Sequence, residues 1–273
     1  MAILIYILLA TGLAIGFISG LLGIGGGIIM TPVQLWLYAA QGWSSDLTVK
    51  IAFATSLAVI FPTAASGVWR HHRQGNINWN AAVTMGIFTA IGSFGGAWLA
   101  SKLPGSTLKI AFGVMGLLIA ARMLTVKIND TERPINQNRW LWILIALPVG
   151  LLTGLLGIGG GVLVIPALVL LLRFRMREAA ATSLAIMLFT SMGGIAGYIL
   201  NGAHASGLPA YTIGYIFWPA WIALTIGSIF MAQVGAIAAH KIPGKILNYI
   251  FIALLLYVSL NMFGVFGWIT SKI

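Results

Sequence analysis

The chain is 273 residues long, 60% hydrophobic and only 7% charged, with a mean hydropathy of +1.01, which excludes a soluble globular domain and defines a membrane protein. Its net charge of +11 comes from fifteen Lys and Arg residues that sit mainly in short loops, where membrane topology already requires them, so the partners it calls for are phospholipid headgroups and not nucleic acid. The lack of cysteine excludes disulfides, thiol nucleophiles and thiolate metal sites.

The first apolar segment, Ile3 to Leu22, begins without the positive n-region of a cleaved signal peptide and is expected to persist as the first helix. It runs into Gly20-Leu-Leu-Gly-Ile-Gly-Gly-Gly27, with Pro32 five residues further on. Apolar segments follow at Ile51 to Trp69, Ala81 to Leu99 and Ile110 to Leu124, most of them near the ~20 residues that a helical crossing needs. A polar stretch, Lys127 to Arg139, then interrupts the pattern. Beyond it, Leu141 to Leu156 leads into a second Gly154-Leu-Leu-Gly-Ile-Gly-Gly-Gly161 with Pro166 five residues later, and Ala179 to Leu200, Ile213 to Val234 and Ile246 to Phe266 complete the series. No run of short alternating strands is visible, so a transmembrane barrel is excluded.

The repeats extend beyond glycine. Gly16-Phe-Ile-Ser-Gly20 matches Gly150-Leu-Leu-Thr-Gly154, Ala54-Thr-Ser-Leu-Ala58 matches Ala181-Thr-Ser-Leu-Ala185, and Lys102-Leu-Pro-Gly105 matches Lys241-Ile-Pro-Gly244. Three blocks in one order indicate an internal duplication, with a first transmembrane repeat at 1–126, a cytoplasmic linker at 127–139 and a second repeat at 140–273 within one integral membrane domain. Loop charge supplies orientation: Arg70-His-His-Arg73, the linker, Arg173 to Arg177 and Lys241 to Lys245 are basic, whereas Asn201 to Pro209 has neither Lys nor Arg. The basic loop of the first half aligns with the neutral loop of the second, so equivalent loops face opposite sides and the halves are inverted. Inversion needs an odd number of crossings per half, which the overlong first segments, Met1 to Ala40 and Trp140 to Leu172, supply by breaking at their glycines. The expected fold is an all-α membrane protein of inverted-topology repeats, about five segments per half, at the cost of placing Lys102 and Lys109 outside.

Gly16, Gly20, Gly23 and Gly27 are spaced four, three and four apart, which on an unbroken helix would make a close-packing face. The triplets Gly25-Gly26-Gly27 and Gly159-Gly160-Gly161 argue for a break, since each interior glycine costs a helix ~1 kcal/mol relative to alanine. A break frees backbone N–H groups at the start of the next half-helix, where the positive end of the helix dipole favours an anion. The candidate substrate-binding residues are therefore Gly23, Gly25, Gly26 and Gly27 with Gly157, Gly159, Gly160 and Gly161, joined by the hydroxyls of Ser19, Thr55 and Ser56 and of Thr153, Thr182 and Ser183. Gln34 has a weaker claim because Leu168 stands at the equivalent position.

Asp46, Asp130, Glu132 and Glu178 all fall in loops or at helix starts, so no mid-membrane carboxylate is expected for a proton relay or a sodium cage. Lys50 and Arg177 occupy equivalent places near the Ala-Thr-Ser-Leu-Ala blocks and read as topology-setting charge. Trp36, Trp43, Trp69, Trp140, Trp142 and Trp268 read as interfacial anchors. Gly23 to Ile28 lacks the last glycine of a dinucleotide fingerprint, and neither an enzyme nor a cofactor is expected.

The paired glycine blocks with their prolines, together with the two Ala-Thr-Ser-Leu-Ala blocks, resemble the TauE/SafE family of sulfite and organosulfonate exporters over essentially the whole chain. The resemblance implies a carrier of small sulfur-containing anions, such as sulfite, sulfonates or thiosulfate, in a bacterial or archaeal plasma membrane. A non-transporting scaffold and an anion channel are the alternative readings, and monomer and homodimer both stay open.

Overall fold

The computed structural model describes residues 2–22, 26–125, 135–239 and 244–263. In the first half, α1 (Ala2–Leu22), α2 (Gly27–Ala40), α3 (Ser45–Arg73), α4 (Trp79–Lys102) and α5 (Gly105–Thr125) follow one another. In the second, α6 (Arg139–Leu156), α7 (Gly161–Pro166, continuing as a π-helical stretch over Ala167–Leu171), α8 (Met176–Gly202), α9 (Trp218–Ala239) and α10 (Gly244–Met262) repeat the series. A two-residue antiparallel ribbon, β1 (Thr212–Ile213) with β2 (Ile216–Phe217), lies between α8 and α9, with Thr212 opposite Phe217. Most of the linker and the Lys241-Ile-Pro block lie outside the described residues, and α6 begins at Arg139, inside the expected linker.

Among the described residues, five helices, within Ser45–Arg73, Trp79–Lys102, Gly105–Leu124, Arg139–Leu156 and Glu178–Gly202, are long and apolar enough to cross a membrane. Three of them start on short polar side chains: Ser44 accepts from the Leu47 N–H, Asn78 from Ala81 and Asn138 from Trp140. Leu118, Leu144, Leu200 and Phe230 each present more than half of their surface to the outside, an arrangement that water would penalise and lipid tails would not. Trp36, Trp69 and Trp140 are exposed as interfacial anchors would be. Trp142 is buried instead, its indole N–H donating to the Asn136 carbonyl at 2.8 Å, and Trp43 stacks on Tyr38 at 4.7 Å. Trp268 lies outside the described residues.

The duplication is visible in how the helices pair. α1 packs along α9 and α6 along α4, so the first helix of each half lies against the fourth helix of the other, while α3 crosses α8 and α5 pairs with α10. Glycine makes the crosswise contacts possible. Added β-carbons at Gly12 and Gly16 would meet the backbone of Leu224 and Ser228, and at Gly150 and Gly154 the backbone of Thr89 and Ser93. Such close approach is how helices associate where lipid removes the hydrophobic drive. Two hydroxyl pairs repeat the pattern: Thr63 with Ser228 at 3.1 Å and Thr190 with Thr89 at 2.8 Å, each linking a third helix to the other half's fourth. The packing reading of the glycine face therefore holds at Gly16 and, in the second half, at Gly150 and Gly154.

α3 forms the centre. From Val49 to Ile60 every side chain except Lys50 and Ala58 is essentially inaccessible, and at the crossing with α8 the side chains of Ile60, Ala64 and Met187 form a small apolar cluster.

Candidate functional site

Both helix breaks are present. α1 ends at Leu22 and α2 restarts at Gly27, with Gly26 held at φ +68° as its cap. α6 ends at Leu156, Gly157, Gly159 and Gly160 all take positive φ, and α7 restarts at Gly161. Positive φ is open to glycine at little cost and strained for any residue with a β-carbon, which is why glycine stands at 26, 157, 159 and 160. Gly23 and Gly25 lie outside the described residues.

Each restarted helix is closed by its own cap carbonyl. The Gly26 carbonyl accepts from Ile29 and Met30, both at 3.1 Å, and the Gly160 carbonyl from Leu163 at 2.9 Å and Val164 at 2.7 Å. The preceding donors are the orphans of a helix start, and among the described residues none accepts from the N–H of Gly161 or Val162. Ser19 and Thr153 flank the two caps in the same way. A β-carbon on Gly26 would lie 3.4 Å from that of Ser19, and one on Gly160 would lie 3.3 Å from the Thr153 hydroxyl oxygen. The Thr153 hydroxyl itself donates to the Val149 carbonyl at 2.8 Å.

The breaks adjoin. A β-carbon at Gly27 would fall 2.7 Å from the Ile158 carbonyl oxygen, and one at Gly157 would fall 2.5 Å from Phe53 Cα. Between them sits the side chain of Ile60, whose Cδ1 touches the β-positions of both Gly27 and Gly159. The two glycine turns are neighbours, and the space beside them is filled by an isoleucine from α3.

The paired hydroxyls of the Ala-Thr-Ser-Leu-Ala blocks divide into two roles. Thr55 accepts the Phe217 N–H and Thr182 the Asn78 N–H, each at 3.1 Å, and each of those donors leads directly into the other half's fourth helix. The two threonines thus tie the halves together crosswise. Replacing Thr55 by valine strips an acceptor from a buried peptide N–H, at about 1–3 kcal/mol, whereas the Asn78 N–H is only part-buried and can turn to water. Thr55→Val is therefore expected to lower the melting temperature more than Thr182→Val.

The serines differ. Ser183 donates to the Ala180 carbonyl at 2.8 Å, within its own helix. Ser56 belongs to a chain of four fully buried polar side chains: Tyr38 donates to Gln34 Oε1 at 2.9 Å, Gln34 Nε2 to Ser56 Oγ at 2.8 Å, and Ser56 meets the Thr31 hydroxyl at 3.3 Å. Thr31 in turn donates to the Gly27 carbonyl at 3.0 Å, so the chain ends at the first residue after the break. The second half has Ile165, Leu168 and Leu172 at the places of Thr31, Gln34 and Tyr38. Because the duplication does not repeat Gln34, repetition gives it little weight. Its signal in the sequence is the cost of leaving an amide in a membrane helix, which demands buried partners.

Charge keeps to the ends. The Asp46 carboxylate accepts from the Gly105 N–H at 2.6 Å. The Lys50 ammonium, nine-tenths buried, donates to the Ser101 carbonyl at 2.8 Å at the end of α4, which favours a cation through the helix dipole. Arg177's side chain is outside the described positions. Among the described residues, no group of three or more His, Asp and Glu is assembled that could hold a metal.

Ten helices among the described residues, paired crosswise, several of membrane length and two pairs parted at glycine, define an all-α multi-pass membrane protein. The chain matches the family described as Sulfite exporter TauE/SafE over residues 8–262, and it belongs to that family. A probable membrane transporter protein of Methanocaldococcus jannaschii is 31% identical over 263 residues, covering 95% of this chain and 96% of the other. Probable membrane transporter proteins of Haemophilus influenzae and Bacillus subtilis are 27% and 28% identical, over 95% and 96% of this chain and 98% of each relative. No solved structure matches the chain significantly. Family and relatives make it a membrane transporter.

Proposed function

We propose that this transporter carries a small sulfur oxyanion, of the class of sulfite, organosulfonates or thiosulfate, outward across a bacterial or archaeal plasma membrane. The observation that carries the reading is the juxtaposition of the two breaks. Gly27 packs on the Ile158 carbonyl, so the start of α2 lies against the glycine turn that leads into the Gly161–Leu171 helix. Two helix starts offer N–H donors and positive dipole ends to an anion without placing a formal charge in the bilayer. The sulfur preference comes from the family name alone.

Inverted halves working by alternating access fit the crosswise pairing of α1 with α9 and α6 with α4. With Ile60 between the breaks, the described conformation is read as one with its centre closed. Purified protein in liposomes tests the function directly. Labelled sulfite, thiosulfate or methanesulfonate should show protein-dependent flux that saturates with concentration. No flux for any of the three returns the protein to a scaffold role, and flux that never saturates makes it a channel.

A further inference from the structure

Resting on the oxyanion reading above, we propose that Gln34 is a positioning residue that turns the Ser56 hydroxyl into a hydrogen-bond donor for the transported anion, so that the site is asymmetric despite the duplication. The inference comes from counting protons along the buried chain. Tyr38 donates to Gln34 Oε1, which fixes the amide with its NH2 group toward Ser56. Ser56 Oγ thus receives a proton from Gln34 at 2.8 Å. Thr31 spends its own proton on the Gly27 carbonyl one turn back. The Ser56 proton is then held only by the long 3.3 Å contact to Thr31. A hydroxyl that accepts from an amide is polarised toward stronger donation.

Ser56 is also in the right place. Ser56 and Ile60 are four residues apart and share a face of α3, and Ile60 is the side chain that touches both Gly27 and Gly159. Ser56 lies next to it, one hydroxyl away from the Gly27 carbonyl. In the second half the equivalent serine cannot serve in the same way. Ser183 gives its proton to the Ala180 carbonyl at 2.8 Å, and Leu168 stands where Gln34 would be to reorient it. The duplicated motif therefore supplies two serines, of which only Ser56 has an amide holding it as a donor.

Calorimetric titration of the purified protein with sulfite, thiosulfate and methanesulfonate tests this. For whichever anions the wild type binds, Gln34→Met and Ser56→Ala should each weaken affinity about ten-fold, the scale of a lost hydrogen bond to a charged group. The double variant should be no weaker than Ser56→Ala, because Gln34 acts only through Ser56. Tyr38→Phe, which removes one oxygen and keeps the ring, should weaken affinity by a smaller factor in the same direction. Single-variant losses that multiply in the double variant would overturn the proposal. So would a Gln34→Met protein that melts earlier but binds as the wild type does. A wild type that binds none of the three anions overturns the oxyanion reading itself, so the two failures are told apart by the first titration.

Discussion

A Gly160→Ala protein is expected to reach the membrane folded and to lose transport, whereas Gly154→Ala is expected to fail to assemble, although both replace a glycine of one motif by the smallest side chain. Gly154 is helical and sits where α6 crosses α4, and a β-carbon there would overlap the Ser93 carbonyl. The obstacle is backbone, which has no rotamer with which to yield, so the two helices must separate along a contact that helps join the halves. Gly160 differs in both respects. Its nearest neighbour is the Thr153 hydroxyl at 3.3 Å, a group able to turn aside, and its difficulty is conformational, a φ of +86° with ψ −30°, a sparsely populated region that costs an L-residue about 1–3 kcal/mol. That is a fraction of the ~5–15 kcal/mol that holds a typical domain, so the fold survives. Relief of the strain, however, rotates the Gly160 carbonyl away from Leu163 and Val164 and turns the Gly161 and Val162 N–H groups with it. Size-exclusion profile and melting temperature, set beside liposome flux, separate the outcomes. A Gly160→Ala protein with wild-type flux would show that the second break is a packing device like the first turns of the motif.

That division within one motif explains what was legible in the sequence. The duplicated block announced both a repeat and a break, and the break appears where the triplets stand, at Gly26 and at Gly157 to Gly160. The glycines ahead of the block are packing residues, since Gly16 and Gly150 lie against Ser228 and Thr89, and so is the block's own Gly154, which lies against Ser93. Spacing alone supports both uses at once, because a 4-3-4 pattern describes a helix face whether or not the helix continues. The threonines were picked out as candidates through repetition, but their partners, Phe217 and Asn78, belong to the opposite half, and contacts across more than one hundred residues are not written in local pattern. Gln34 was undervalued for the converse reason. A duplicated chain invites attention to what recurs, while the buried chain from Tyr38 to Gly27 exists in one half only. Ile60 left no trace at all, being one apolar residue in a run of them, and only the crossing of α3 with α8 gives it a place.

Ile60 gives the largest expected change in transport itself. Ile60→Ala is expected to admit larger sulfonates relative to sulfite, and Ile60→Trp to stop flux of both. Ile60 is fully buried and fills the contact between Gly27 and Gly159, with Ala64 and Met187 beside it. Truncation removes three carbons from a packed site, and a loss of about 2–5 kcal/mol in stability accompanies the cavity. Because the lining of that cavity includes both helix breaks, the space gained lies where an anion would have to sit, and the barrier to entry falls together with discrimination by size. Tryptophan acts oppositely. The extra ring costs about 1–3 kcal/mol in overpacking and can be accommodated only by pressing the breaks apart or by occupying the anion's place, and either result blocks flux. The ratio of methanesulfonate to sulfite transport in liposomes, measured for both variants against the wild type, reports the outcome. An unchanged ratio in Ile60→Ala, with stability lowered as the cavity requires, would mean that the side chain merely fills the core and that anions pass elsewhere. A raised ratio would identify Ile60 as the residue that must swing aside before the two breaks, and the Ser56 hydroxyl behind it, can meet the substrate.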